Sequence, residues 1–576
     1  MTENRQYVTY EMFGAKGDGV TDDSEVIRAA HEYANANYAE VKTDPTATYY
    51  IGVMDTPIKI MTNVDFGTSK FIIDDRELPL EKIKVPLFRV ESRHRPIPLD
   101  IPSLKKNQMK IDATLPCNCY VRVENSEKKQ FIRFGFNQNN GSPQTDSFVV
   151  DGTGYILNSV IWDFEKVTYA KAFPIETDTL TVRGGVFTSI ANCAESKYNY
   201  HSRNIVVNRS NTVIENVINL VEGEGEHGAP YAGFIYVEKC AYVTVKNCHL
   251  TPRKTYETIG SAGKPVGMGS YALNAGHVVN LTLDNIRQHN IMDSTRWGLV
   301  ATNHCKNITV NNCLMSRFDA HENVAGLTIK NTVLGHQCFN AIGHGVMLVE
   351  NVTAYGVSFL NLRSDYGSSW DGDVVFKNCT WYPNATVANP TFIRGANAGN
   401  HEFGFPCYMP HRITVENLLI CDGNAGAGYN GASLFRCETN AMNGSGAVDF
   451  KDKDIAYPYF FTERVELTNI RTESGKGFAL FCGDIANCFC TEKARPNFRC
   501  RMRNVELSDS SILPAESSVS AEEYADTYHI IPRIEISDCK GVKIGKTNYP
   551  AIIKVSDSEI SEMEWCDNVF VEISEL

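Results

Sequence analysis

WGLVATNHCKNITVNNC (297–313), SRFDAHENVAGLTIKNT (316–332), CFNAIGHGVMLVENV (338–352) and SFLNLRSDYGSSWDGDVVFKNC (358–379) are four variants of one phrase. Each contains an alternation of apolar and polar residues that is closed by Asn, at Asn312, Asn331, Asn351 and Asn378. Such alternation is typical of a strand with one buried face, and Asn tolerates the left-handed backbone conformation of a tight turn. A strand and a turn that recur about every 20 residues predict a parallel β-helix.

The same closing phrase occurs on both sides of this stretch. It ends at Asn216, Asn247, Asn285, Asn417, Asn469, Asp509, Asp538 and Asp557. A β-sandwich with irregular strands is the alternative, but intervals that shrink toward about 19 residues and never fall below it favour the solenoid. The predicted class is therefore all-β, a right-handed parallel β-helix.

Composition and charge exclude several classes of protein. The chain has 576 residues and a net charge of −13, which argues against nucleic acid as the main partner because phosphate binding needs a basic face. Apolar runs are too short for a membrane-spanning helix. The N-terminus lacks the basic and then apolar pattern of a secretory signal, so we expect a cytoplasmic protein, or a secreted one if a signal peptide has been removed.

The 18 cysteines are placed like core residues. Cys248, Cys313, Cys379 and Cys539 each follow a closing Asn or Asp, where other repeats carry Val, Ile or Leu, so we expect reduced thiols stacked in the core. Cys482, Cys488, Cys490 and Cys500 form a cluster, but their spacing fits no tetrahedral zinc site. Neither a metal nor a cofactor is predicted.

The N-terminal stretch FGAKGDGVTDD (13–23) is followed by SEVIRAAHEYANA (24–36). Thr21 or Asp22 can cap a helix with Val26, Ile27, Ala30 and Tyr33 as its apolar stripe, and such a helix would cover the open end of a solenoid. The stretch resembles the N-terminal signature of the pectate-lyase-like β-helix superfamily, which includes polygalacturonases, glucanases, lyases and phage tailspikes. The resemblance implies the architecture and leaves the reaction open.

Three regions follow from the rhythm of the repeats. Residues 1–75 are the N-terminal cap and first coils, residues 76–175 are a small antiparallel β insertion with hairpin-like runs, and residues 176–576 are the β-helix. In the insertion, the polar loop FNQNNGSPQTD (136–146) is expected to border a cleft or to contact a neighbouring subunit. Gly-rich loops at 222–232 and 251–270 are expected to overhang one face.

The central repeats also align on the strand that precedes each closing phrase. The aligned triples are Val300, Thr302 and His304; Asp319, His321 and Asn323; Asn340, Ile342 and His344; and Asn361, Arg363 and Asp365. Apolar residues alternate with them, so the triples are predicted to face outward. With coils about 4.8 Å apart, His344 would lie beside Asp365, and Asp319 near His321 with Arg363 two coils away.

This outward patch is the predicted active site. The predicted catalytic residues are Asp319, His321, His344, Arg363 and Asp365, and the predicted substrate-binding residues are Glu322, Tyr366, Trp370, Asp371, Arg296 and Trp297. A solvated face is the alternative, although two His, one Arg and two Asp on three coils favour chemistry. Aromatic rings beside carboxylates suit a sugar.

Two families lend partial motifs to this patch. The segment Ile342-Gly343-His344-Gly345 resembles the Gly-His-Gly element of polygalacturonases, but the paired Asp of that family is absent and Glu322 stands near its place. Asp319-Ala320-His321-Glu322 resembles the Asp-Pro-His-Asp or Glu element of mannuronan C5-epimerases, with Ala in place of Pro. The two resemblances imply different reactions on a poly- or oligosaccharide.

The favoured function is a glycoside hydrolase, with Asp365 as the acid and Asp319 as the base, because carboxylates outnumber cations in this region. The alternative is a polysaccharide lyase or uronate C5-epimerase, in which Arg363 neutralises the uronate carboxylate and His321 or His344, with Tyr366, takes the C5 proton. A third hypothesis is a tailspike-like glycan-binding protein without catalysis, which would assemble as a homotrimer.

Overall fold

The computed structural model describes residues 6–133, 135–336, 339–383, 387–397, 403–439, 459–482, 497–507, 531–545 and 550–574. They form a right-handed parallel β-helix, which confirms the predicted fold class. The chain divides into two compact units, Met1–Lys128 with Pro143–Asp319 and Lys129–Ser142 with Ala320–Leu576. Each unit is described separately below.

In the first unit, short strands of successive coils pair in parallel. They are Tyr7–Thr9, Asp18–Asp22, Glu40–Lys42, Thr48–Ile51, Ile58–Ile60, Val64–Asp74, Phe88–Val90, Leu180–Ile190, Ile205–Val207, Thr212–Glu215, Ile218–Glu222, Ala232–Glu238, Ala241–Lys246, His249–Leu250, Tyr271–Gly276, Val279–Asp284, Leu299–Asn303, Lys306–Asn311 and Leu314–Met315. A hairpin of Tyr256–Ile259 and Pro265–Met268 lies in the predicted loop 251–270.

In the second unit the parallel coils continue. Their strands are Phe318–Lys330, Val333–Leu334, Phe339–Glu350, Thr353–Tyr355, Ser358–Leu362, Trp370–Asp371, Asp373–Tyr382, Thr391–Asn397, Arg412–Ile420, Ala432–Thr439, Arg464–Thr472, Phe478–Cys482, Asn497–Val505, Ile531–Ser537, Ala551–Ser556 and Val569–Ser574. Two further parallel pairs are Cys407–Tyr408 with Tyr459–Phe460, and Val542–Ile544 with Ile560–Met563.

Each predicted closing Asn adopts the left-handed backbone conformation of the predicted turn. Their φ angles are positive, for example 53° at Asn378, 58° at Asn417 and 56° at Asn469. Their side-chain amides also bond from coil to coil, since Asn417 donates to Asn378 and Asn469 donates to Asn417, both at 2.8 Å. The next position in this stack is Asn504, whereas the predicted Asp509 lies outside the described residues.

The core is built from identical positions of successive coils. In the second unit, Val465, Cys500, Ile534 and Ile553 follow one another in register and are at most 1% exposed. Cys248, Cys313, Cys379 and Cys539 are buried free thiols, which confirms their predicted place in the core. The predicted cluster partners Cys488 and Cys490 lie outside the described residues.

The N-terminal helix spans Ser24–Asn37 and packs against the first short strands of the first unit. Its buried stripe is Ile27, Ala30, His31 and Ala34, with the spacing of one helical face. The prediction of Tyr33 in this stripe is wrong, because that side chain is 42% exposed. The helix begins after Asp23, whose carboxylate accepts the backbone N–H groups of Lys16 and Gly17 and so fixes the Gly-rich turn.

The predicted antiparallel insertion is also present. Its strands are Ile97–Pro98, Cys119–Gln130, Ser142–Val150 and Tyr169–Pro174. Val121, Val123, Phe148 and Phe164 are fully buried in a separate small core. The outer boundaries of the insertion at residues 76 and 175 stay a prediction. Among the described residues, no helix combines the length and the apolar character that a membrane crossing needs.

Candidate active site

The strand at Phe339–Glu350 organises the candidate site in the second unit. On the next coil, Leu362 lies opposite Ala341 and Trp370 lies opposite Gly343, so residues 363–369 stand opposite Ile342 alone. These residues leave the sheet as a loop with a 3-10 turn at Ser364–Tyr366. The loop therefore places its polar side chains outside the regular β-sheet.

Of the polar triples predicted to align on these two coils, only the first positions, Asn340 and Asn361, lie in register. Asn361 pairs with Asn340, and its side-chain amide donates to the Asn340 side chain at 2.7 Å. The placement of Asp365 beside His344 is wrong, because the loop displaces Asp365 and the residue in register with His344 is Asp371. Ile342 was predicted to face outward but is fully buried.

Asp365 lies between two guanidinium groups. Arg363 donates to its carboxylate from Nε at 3.1 Å and from Nη2 at 2.8 Å, and Arg133 Nε lies 2.8 Å from Oδ2. Burial alone would raise the pKa of Asp365, but the charges of Arg363 and Arg133 outweigh it and hold the pKa well below its usual range. Asp365 therefore stays ionised and does not suit the role of a catalytic acid.

Tyr366 follows directly and lies under both arginines. Its ring is 2% exposed, with the guanidinium carbons of Arg133 and Arg363 at 5.6 and 5.5 Å from the ring centroid. The His321 imidazole meets the same ring edge-on, at 5.8 Å between centroids. Burial and then the charge of Glu322 raise the pKa of Tyr366, so its hydroxyl stays protonated. We call Arg133, His321, Glu322, Arg363, Asp365 and Tyr366 the Tyr366 cluster.

The tip of the insertion hairpin, residues 129–142, belongs to this second unit and completes the cluster. It supplies Arg133, and Ser142 Oγ donates to the Glu322 carboxylate at 2.8 Å. The Ile132 amide donates to the Phe403 carbonyl at 3.2 Å, and the Phe131 ring packs 4.6 Å from the Phe405 ring. Ser142 of the predicted polar loop 136–146 thus lies beside the candidate site.

A second group consists of His344, Asp371 and His411, which we call the Asp371 cluster. The Asp371 carboxylate contacts His411 Nε2 at 2.8 Å and His344 Nδ1 at 3.7 Å. Asp371 ends the short strand Trp370–Asp371, and the His411 amide donates to the carbonyl of Gly372 on that neighbouring coil. A carboxylate between two imidazoles can orient both rings and hold a proton on either.

Trp370 and the glycines of the Gly-His-Gly element have packing roles. Trp370 is fully buried and its indole N–H donates to the Gly345 carbonyl at 2.9 Å, so it is not the predicted sugar platform. A Cβ at Gly343 would lie 1.9 Å from the carbonyl oxygen of Val324, and Gly345 has a φ of 79°. The strand can approach its neighbour only where these side chains are missing.

Three predicted site residues belong to the first unit. Asp319 is 1% exposed, in contrast to the outward placement expected for it, and Arg317 Nη2 lies 2.6 Å from its carboxylate. Arg317 also covers the ring of Trp297, at 4.3 Å from its centroid. Arg296 is bound by the Glu224 carboxylate at 2.8 Å. Asp319 is therefore a buried ion-pair partner and does not suit the role of a general base.

Sequence reasoning did not single out Arg133, Ser142 and His411. For His411 the signal was the alignment of coils, since Arg412 pairs with Asp373 and the preceding residues therefore meet near Asp371. Arg133 gave no such signal, because its contact with Asp365 joins positions far apart in the sequence. In the part of the chain that the structure describes, no group of three His, Cys, Asp or Glu side chains is placed to hold a metal ion.

No protein-family model matches the chain. One stretch is 31% identical over 123 residues to a KL64-specific capsule depolymerase of Klebsiella phage P510, and the alignment covers 19% of this chain and 12% of that protein. Similar solved structures include the tailspike gp61 of Pseudomonas phage phi297, with a TM-score of 0.47, 10% identity and 81% of each chain covered.

Two other similar structures are also phage tailspikes. The tailspike gp49 of Pseudomonas phage LKA1 has a TM-score of 0.43 and 13% identity, with 96% of this chain and 81% of that chain covered. The Gp54 tailspike of Acinetobacter baumannii phage AP22, solved with a capsular saccharide, has a TM-score of 0.43 and 10% identity over 98% of this chain and 76% of that chain.

Proposed function

We propose that this chain is a polysaccharide depolymerase that cleaves a uronate-containing glycan by β-elimination at the Tyr366 cluster. The observation that carries the proposal is a buried, protonated Tyr366 placed between Arg133, Arg363 and His321. A hydrolase of the predicted kind needs Asp365 as an acid and Asp319 as a base, and both carboxylates are bound by guanidinium groups. The lyase alternative is therefore favoured over the hydrolase.

Each group has a defined role in the elimination. Arg133 and Arg363 flank the Asp365 carboxylate, and their guanidinium groups bind the substrate carboxylate, which acidifies its C5 proton. His321, which is partly exposed, takes that proton. The electron pair of the C5–H bond forms the C4–C5 double bond, the C4–O bond breaks, and the Tyr366 hydroxyl protonates the leaving oxygen.

The substrate class is inferred from the sequence relative. The matched phage protein is named a capsule-specific depolymerase, which supports a bacterial capsular polysaccharide as the substrate of this chain. A glycan with uronate residues fits the two guanidinium groups of the Tyr366 cluster, because guanidinium groups bind carboxylates. Assembly as a homotrimer stays a prediction.

The test uses purified capsular polysaccharides with and without uronate residues. We expect new reducing ends together with ultraviolet absorbance of the unsaturated uronate, and only from the uronate-containing glycans. Tyr366→Phe keeps the ring and removes the proton donor, so its turnover should fall by about 10²–10⁴-fold. Tyr355→Phe, in the stacked pair of Tyr355 and Tyr382 with 4.6 Å between centroids, is the matched control and should retain activity.

Three results would overturn the proposal. Reducing ends without absorbance would establish hydrolysis. Exchange of the C5 proton without cleavage would establish an epimerase. Glycan binding without any of these signals would establish a binding protein.

A further inference from the structure

The first unit buries two arginine side chains away from the candidate active site. Arg203 and Arg253 are each 1% exposed and are among the largest fully buried side chains of the described residues. Arginine is rarely buried this completely unless an anionic partner neutralises it. The contacts around both side chains show which of them has such a partner.

The Asp75 carboxylate serves Arg203. Arg203 Nε donates to Asp75 at 3.0 Å and its Nη2 donates to the Gly52 carbonyl at 2.6 Å. The other carboxylate oxygen accepts the Tyr231 hydroxyl at 3.1 Å. The Arg253 guanidinium group stacks on the ring of the same Tyr231, with its central carbon 3.7 Å from the ring centroid.

Arg253 is left without an ionic partner. Within the described part of the chain it forms no ion pair, and its Nε and Nη1 atoms are buried without a hydrogen-bond partner. The Nη1 atom of Arg203 is also buried without a hydrogen-bond partner. Three donor nitrogens on the two guanidinium groups are therefore buried without an acceptor.

The charges around these donors do not balance. Arg203 and Arg253 contribute two positive charges, and Asp75 contributes at most one negative charge, because burial raises its pKa even against the two arginines. The buried His201 adds no further positive charge, since burial lowers its pKa to about 4 and it stays neutral. Water could satisfy the N–H donors but could not neutralise the excess charge.

We propose that Arg253, with Arg203 and Tyr231, frames a buried binding site for a small monovalent anion such as chloride. The anion accepts the free guanidinium N–H groups and compensates the second positive charge. It also joins the two predicted overhanging loops, because Tyr231 lies in the loop 222–232 and Arg253 lies in the loop 251–270. The Arg253 carbonyl also accepts the Trp297 backbone N–H at 2.8 Å, which connects Arg253 to the following coil.

The test measures thermal unfolding of the full chain in sodium gluconate while chloride replaces gluconate at constant ionic strength. A ligand that binds only the folded state raises the unfolding temperature along a saturable curve, and we expect a rise on the order of 2 °C. Arg253→Met should abolish the chloride dependence. The control Arg183→Met removes an exposed guanidinium that pairs with Asp65 at 2.7 Å, and it should retain the dependence.

A second measurement does not depend on the folding of a variant. Crystals of the wild-type protein grown in bromide should give an anomalous peak within hydrogen-bonding distance of Arg253 Nε. Absence of that peak would overturn the proposal. A chloride response that is missing in the wild type, or equal in Arg253→Met and Arg183→Met, would overturn it as well, because ordered water would then be the partner.

Discussion

At the scale of single residues, the neighbours of a carboxylate decide its role. Asp319 and Asp365 both follow an arginine at the second position before them, in Arg317-Phe318-Asp319 and Arg363-Ser364-Asp365, and each pairs with that arginine. Residues two apart in an extended segment lie on the same face, which favours the ion pair at Asp319, and the 3-10 turn at Ser364–Tyr366 brings Asp365 to Arg363. The sequence held this signal at Asp319, and the ion pairs argue against a free catalytic carboxylate at either position.

The variant Asp365→Asn tests this ionic role. It leaves Arg133 and Arg363 without their shared anion, so we expect a loss of about 3–5 kcal/mol in the free energy of unfolding at neutral pH. The control is Asp373→Asn, because Asp373 is partly exposed and forms no ion pair among the described residues. Urea unfolding monitored by circular dichroism measures both variants, and equal stabilities would contradict the ionic role.

The stability difference between the wild type and Asp365→Asn is expected to depend on pH. The folded-state pKa of Asp365 is held below its unfolded value, which is about 3.9. Its ion pairs therefore stabilise the fold in full above about pH 4, and the stabilisation is lost as the pH falls toward the folded-state pKa. The stability difference between wild type and Asp365→Asn should narrow in acid.

At the scale of elements, the regular coil was predictable and its interruption was not. The alternation and the closing Asn residues recur in every repeat, so strands, turns and inward positions follow from local sequence. Residues 363–369 leave the sheet although the sequence gives no sign of it. The predicted alignment of polar residues from coil to coil is therefore wrong from Arg363 onward. A loop inserted opposite a single residue changes which residues of the two coils lie in register after it. No local sequence pattern marks the residue at which the loop ends.

The Gly343→Ala variant tests how closely adjacent coils approach at the candidate site. The added Cβ would lie 1.9 Å from the Val324 carbonyl oxygen, so the strand must shift and the unfolding temperature should fall strongly. Gly428→Ala is the matched control, since a Cβ there has no atom within 4 Å among the described residues. Thermal unfolding followed by circular dichroism distinguishes them, and a Gly343→Ala protein as stable as the control would contradict the packing.

At the scale of the whole molecule, the sequence predicted the β-helix, the N-terminal helix and the antiparallel insertion, because each has a local signature. It also selected His321, Glu322, Arg363, Asp365 and Tyr366, which the second unit brings together. It could not predict that Arg133 meets Asp365, since that contact depends on how a distant hairpin tip folds back. The assignment of acid and base roles failed for the same reason, because guanidinium neighbours set the charge of each carboxylate.

The cysteines provide a test of the core along the entire chain. The described thiols are free, and burial raises the pKa of Cys248 to about 12 and that of Cys313 to about 11. Only the thiolate reacts with iodoacetamide, so these thiols should label at least about 10²-fold more slowly than the exposed Cys193 in the native protein. Mass spectrometry of peptides from native and urea-unfolded samples measures the rates. All 18 cysteines should label in urea without a reductant, and protection that persists in urea would show that a disulfide replaces the predicted stack of thiols.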